Sequence, residues 1–375
     1  MFAKLTAFLL LGFFWGANVA NAADPDDLER LQRTNECQEC DLKEADLTGM
    51  NLRGANLKKA NLTAANLQGV DLSEADITKA KLEKANLSDA NLTGITLSDA
   101  NVSQATLRNA RLNNAILKGT NLLLSDLVDV VLEGANLENA TLGSAKLTGA
   151  NLKNANLNYA KLGRANLRGV DLTGATLVVA KLRFANVSYS SLAGVDLSGA
   201  DLVGTKLDWS HLDGANLENA TLTNANLSDA LLLGANLRGA NLFGANLSRS
   251  NLVDVTLVSA VLAGADLSDA DLSGSGLSFA NLAGAKLDNA NLHRVVLSAA
   301  NLTGASLMNA NLGQSYLYQA ILTTANLTNA NLERADLTEA DLTAADLSYA
   351  NLTNAILSET ILKDAIVTGT YLSDR

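Results

Sequence analysis

The chain has 375 residues, 48% hydrophobic but only 4% aromatic, with 28 basic and 39 acidic side chains giving a net charge of −11. Two cysteines and two histidines leave little material for a metal scaffold, and the acidic balance argues against a protein that grips nucleic acid through a basic stripe. No nucleic-acid binding is expected.

Residues 1–22 carry a single charge, Lys4, then an apolar run through Phe8–Leu11 and Phe13–Trp15, and end in Ala20-Asn21-Ala22. That is the layout of a secretory signal with a small-residue cleavage site after Ala22, too short and wrongly flanked for a stable membrane span. The chain is therefore expected to be exported, with no stable span once the signal is removed.

Residues 23–36 read as a short capping helix. Asp24 is an N-cap, Pro25 suits the first helical position, and Asp26 and Asp27 place acids in the first turn. Leu28 and Leu31 share a face of a helix that ends near Thr34. Their expected role is a lid over the first layer of the repetitive region that begins near residue 37; a docking helix for a partner is the other reading.

Cys37 and Cys40 come next as C-x-x-C, in register with the five-residue repeat that continues from Leu42, so both should point inward. Zinc is disfavoured because His211 and His293 lie far along the chain, and haem attachment because Asp41 follows where a histidine is needed. A disulfide, two buried reduced thiols and a thiol switch all remain open.

From Leu42 to Leu372 every fifth residue is aliphatic: 63 leucines with Ile77, Val102, Val187 and Val367, 67 positions without insertion or deletion. Calling this position i, alanine is usual at i−2, Asn or Asp at i−1, and polar residues or glycine at i+1 and i+2. Five residues turn an α-helix through 500°, so the leucines would form no stripe on one. An odd period likewise throws successive leucines to opposite faces of a straight strand. Both elements are excluded, and the pattern works only if each pentapeptide is one short extended side plus one corner. Of the 25 glycines beyond residue 22, 21 occupy i+2, the third position of a β-turn, where type II geometry needs positive φ. Stacked coils would bury leucine on leucine and run backbone ladders between layers, which proline cannot enter; none occurs after Pro25.

With the motif A-[ND]-L-x-x written out from Ala145 to Leu177 and nearly everywhere else, the chain resembles the pentapeptide-repeat family over about nine tenths of its length. The resemblance implies an all-β fold, a right-handed quadrilateral parallel β-helix with four sides per coil, so residues 37–375 should form one solenoid of almost seventeen coils. At about 4.8 Å per layer the rod would be ~80 Å long. The C-x-x-C-D-L entry into the repeats is similar to exported cyanobacterial members, for which the destination is the periplasm or the thylakoid lumen.

Function must be read from the outward positions. Acids at i−1, such as Asp41, Asp46, Asp71 and Asp76, fall on four different faces, a distribution that suits solubility. Tyr189 and Trp209, 20 apart at corners, should stack, with His211, Leu231, Leu233 and Val253 on the adjoining side; together they are the candidate partner face. Leu122–Leu124 with Val128 and Val131 form a second apolar departure. The chain ends in Tyr371-Leu372-Ser373-Asp374-Arg375 with no helical lid, so these last residues should either cap the final coil or leave it to pair end to end with a second copy, making the protein a monomer or an end-to-end homodimer. No convergent acid, base, nucleophile, cofactor or metal group is legible, and catalysis is not expected. The expected function is a non-catalytic extracytoplasmic scaffold or rod that binds an unknown protein partner. Alternatives are an acidic DNA-mimicking inhibitor of a topoisomerase, an activity known in the family, and a purely structural spacer.

Overall fold

The computed structural model describes residues 23–371; the expected signal at 1–22 and the last four residues of the expected C-terminal cap lie outside them. α1 (Pro25–Thr34) opens the chain. Oδ1 of Asp24 accepts from the N–H of Asp26 at 2.9 Å and of Asp27 at 3.4 Å, which satisfies donors that a helix start leaves unpaired. Asn35 closes the helix in the left-handed region, its N–H bonded to the carbonyl of Leu31. Leu31 is wholly buried and Leu28 partly buried against the core. The lid also covers polar edges: Asp24 N–H donates to the Asp41 carbonyl at 2.9 Å, and Asp41 N–H to Oδ2 of Asp27 at 2.7 Å.

After α1 the backbone coils. Parallel bridges run from Glu36 with Asn56 to Asn351 with Tyr371, each joining residues 20 apart, so a coil is four pentapeptides. Side 1 comprises residues 40–44 and each five-residue unit 20 further on; sides 2, 3 and 4 start likewise at 45–49, 50–54 and 55–59. Every i+2 residue from Glu39 to Gly369 has positive φ, glycine or not, so the corners fall at the predicted place.

The repeat is a complete solution for backbone donors, as the unit 330–334 shows. Ala330 N–H closes the preceding turn on Leu327 O at 2.9 Å. Asn331 N–H reaches back one layer to Ala310 O at 2.9 Å, while those of Leu332 and Arg334 reach forward to Asn351 O at 2.7 Å and Thr353 O at 2.9 Å. The fifth, on Glu333, is taken by the side-chain Oδ1 of Asn331 at 3.1 Å. That last bond explains the Asn or Asp at i−1, whose carboxamide or carboxylate closes an Asx turn on the one N–H that the ladders miss.

Asparagine does more than aspartate here, because its Nδ2 can donate to the layer before. On side 3 this makes a continuous column: Asn291 donates to Asp271 at 2.9 Å, Asn311 to Asn291 at 3.1 Å, Asn331 to Asn311 at 3.0 Å and Asn351 to Asn331 at 3.1 Å. Inside, leucine at i and alanine at i−2 are buried along almost the whole length. A fully buried leucine contributes about 1.5–3 kcal/mol. Where a hydroxyl replaces alanine it donates to a backbone carbonyl, as Thr120 does to Leu97 O at 2.8 Å and Thr205 to Leu182 O at 2.9 Å.

The final coil differs. Leu362 and Val367 are exposed and Leu357 is half-buried, because among the described residues no layer lies over them. Its four i−1 positions are Ile356, Ile361, Ile366 and Tyr371, all apolar and all exposed, where Asn or Asp usually stands.

Candidate functional site

Cys37 and Cys40 are joined in a disulfide, with Cα atoms 5.3 Å apart, and both are fully buried. They flank the first corner, which is also closed by the Cys40 N–H to Cys37 O bond at 3.3 Å. Arg30 of α1 lies over them, Nη2 2.6 Å from the Cys40 sulfur and 2.9 Å from Oδ1 of Asp27. The pair sits beneath the lid.

Tyr189 and Trp209 occupy consecutive layers at the corner between sides 2 and 3, each 53% exposed, and Tyr189 N–H donates to the Asp208 carbonyl at 3.0 Å. On side 3, exposed His211 bridges to Leu231. The sequence reading made Leu231, Leu233 and Val253 three exposed aliphatics; only Leu233, at 48%, is exposed, while Leu231 and Val253 are half-buried. Leu231 stands at i−1 in the bridge ladder between His211 and Asn251, one layer before and one after, which leaves it less open than Leu233 at i+1. Leu231 offers no Asx acceptor, and Leu233 N–H turns instead to Oδ1 of Asp213 at 3.0 Å. In the second apolar departure Leu123 and Leu124 are exposed, Val128 and Val131 half-buried, and Leu122 is a core residue.

A larger feature escaped the sequence reading. Residues 141–190 hold seven basic side chains against one acid, Asp171, a local net charge of +6 in a chain of net −11. Coil geometry gathers six of the seven onto sides 1 and 2: Lys161, Arg164, Lys181 and Arg183 on the first, Lys146 and Arg168 on the second, all exposed. Only Arg183 among them pairs with a carboxylate, Asp201 at 3.3 Å. Arg168 lies 4.5 Å over the ring of Tyr189, and Arg183 5.9 Å from that of Phe184, itself an exposed corner residue. A running count of charge along the sequence would have found the excess; only the 20-residue register shows that it faces one way.

Elsewhere the carboxylates serve the coil. The Ser73 hydroxyl and then its N–H hold the Asp71 carboxyl below the usual range, and Ser348 does the same for Asp346. Among the described residues no group of three or more His, Cys, Asp or Glu is arranged to hold a metal ion, and no helix is long and apolar enough to cross a membrane.

The profile of the family described as pentapeptide repeats matches in adjoining or overlapping stretches between residue 36 and residue 374. This chain belongs to the pentapeptide-repeat family. Solved members include Rfr23 of the cyanobacterium Cyanothece 51142, 42% identical over 25% of this chain, which spans 64% of that protein, with a TM-score of 0.25. HetL of Nostoc sp. strain PCC 7120, a pentapeptide-repeat protein involved in heterocyst differentiation regulation, is 34% identical over 67% of this chain and 88% of its own, with a TM-score of 0.22. A pentapeptide-repeat protein from the Arabidopsis thaliana thylakoid lumen is 29% identical over 37% of this chain and 66% of its own, with a TM-score of 0.09. No curated protein matches.

Proposed function

We propose that this pentapeptide-repeat protein is an exported, non-catalytic rod that binds a protein partner through its outer sides. The observation that carries the reading is the group of Tyr189, Trp209 and Leu233, exposed apolar side chains gathered where His211 and Leu231 replace the Asx residues of side 3. Exposed apolar and aromatic side chains stand elsewhere on the rod too, Phe184 and Phe279 among them, but this group, which holds Trp209, has the composition of an interface anchor. The coil is taken as right-handed and quadrilateral, in keeping with the hand of parallel crossovers.

Export to the periplasm or the thylakoid lumen draws support from the apolar stretch before Ala22 and from a disulfide between the only two cysteines, which an oxidising compartment sustains. Among the described residues no layer lies over Leu362 and Val367, and the rod is taken as a monomer or an end-to-end homodimer. Inhibition by DNA mimicry fits less well, because the cationic excess at 141–190 interrupts any continuous anionic surface.

Affinity capture from the exported-protein fraction of the source cells tests the reading, comparing the rod with a Trp209→Ala, Leu231→Asp, Leu233→Asp variant. One protein retained by the first and lost by the second is the expected result. Equal retention, or none by either, overturns it in favour of a structural spacer.

A further inference from the structure

Sides 1 and 2 between residues 141 and 189 are built unlike the rest of the rod. We propose that they bind an acidic segment of a protein, an Asp- or Glu-bearing stretch about as long as the belt of cations is tall. The inference rests on the protein-binding reading and gives the partner a chemistry.

Three observations point the same way. First, Lys146, Lys161, Arg164, Arg168 and Lys181 are exposed and none has a carboxylate within ion-pair distance, whereas the neighbouring Lys118, Lys153 and Arg183 are each paired. Unpaired like charges on adjacent layers repel one another, and an anionic ligand relieves that repulsion. Second, two of the three i+1 residues on side 1 here, Gly143 and Gly163, carry no side chain, and they follow Thr141 and Lys161 instead of Asn or Asp. The Asx oxygen that takes this N–H in units with Asn or Asp at i−1 is missing, so two further donors stand among the cations for a carboxylate to approach. Third, the flanking rings are Phe184, Tyr189 and Trp209, each more than half exposed, with Arg168 stacked on Tyr189.

The extent of the belt selects the partner. It spans about three layers, roughly 15 Å. Residues 24–140 carry 12 basic and 19 acidic side chains, and residues 191–375 carry 8 and 19, so the rod is negative on both sides of the belt. A long polyanion or an anionic bilayer lying along the rod would meet those acidic stretches as well, with repulsion opposing the gain. A short acidic segment meets the cations alone. Arg, Tyr and Trp are also the side chains that anchor protein interfaces.

The test uses the full chain in its source cells, with a photoreactive benzophenone side chain in place of Phe184 and, in a second protein, in place of Phe279, an exposed ring on another corner about five coils away. The expected result is a protein adduct at 184 and not at 279, with the cross-linked peptide net acidic. Combining the first with Lys161→Gln, Arg164→Gln and Arg168→Gln, all surface changes, should lower the yield about tenfold, as should roughly 0.5 M NaCl. An adduct to lipid or nucleic acid, a cross-linked peptide without net negative charge, or a yield indifferent to the charge changes overturns the inference. If the capture experiment retains a partner and the charge changes leave its adduct intact, the protein-binding reading stands and this inference alone falls. If neither experiment yields a protein, both fall.

Discussion

The ring of Phe184 fills the space in which Gly204, one layer on at the same corner, would carry a β-carbon: such an atom would stand 2.6 Å from Cδ1 and from Cε1. Gly204 also has φ of +63°. The two residues form a matched pair, with the aromatic side chain lying across a glycine corner. Tyr349 and Gly369 repeat the arrangement.

Gly204→Ala should therefore cost more than the roughly 1–2 kcal/mol of a left-handed alanine, because the ring must also move. Adding Phe184→Ala should return part of the loss. Thermal melting of the two single variants and the double variant checks this; additive effects would mean that the ring does not sit on the glycine.

Asn331→Ala removes the acceptor for Glu333 N–H and an acceptor in the column for Asn351. A loss of about 1–2 kcal/mol is expected. Asn331→Asp keeps both acceptors and loses only the donation to Asn311, so it should cost less. Because a solenoid opens layer by layer, the fitting measurement is hydrogen exchange at the Glu333 amide, which should quicken strongly in the first variant and little in the second.

Leu232 is fully buried and its neighbour Leu233 is exposed. Leu232→Ala should destabilise by about 2–5 kcal/mol, and Leu233→Ala by under about 0.5 kcal/mol. Urea denaturation of the two variants checks the register, since a slip of one residue would exchange the outcomes.

Stability should fall in acid. Asp71 and Asp346 have folded-state pKa values below their unfolded ones, because the hydroxyl and then the N–H of Ser73 and of Ser348 bond the ionised form. The ionised carboxyl is thus favoured by folding. Its contribution is present above the unfolded pKa of about 3.9 and is lost as pH drops through the lower folded value. Melting temperature should change little on this account between pH 7 and about pH 5 and decline below about pH 4. Asp71→Asn should flatten part of that decline.

The coil was legible in the sequence because its two strongest demands act within five residues. Leucine at i and glycine at i+2 each report one local requirement, burial and positive φ, and 67 repetitions leave no other reading. α1 was legible for the same reason, through Asp24, Pro25 and Leu31. What spacing alone left open was the number of corners in a coil. That count, which the family resemblance supplied and the 20-residue ladder bears out, decides which residues meet across layers; the asparagine column and the half-burial of Leu231 and Val253 depend further on side-chain placement that spacing does not give. The Asx bond from i−1 to i+1 is local, yet in a sequence Asn and Asp at a surface position also read as simple solubility.

Each ladder bond joins residues about one coil apart in the sequence, however long the rod is. The loop that must close to add a layer is always near 20 residues, so its entropic cost is the same for the last coil as for the second. Among the described residues Leu362 and Val367 lie in a layer with none over it, the kind of surface onto which every earlier coil was laid, starting from the template under α1. Elongation by whole coils leaves the folding problem unchanged, and in such a molecule length can follow the distance to be spanned.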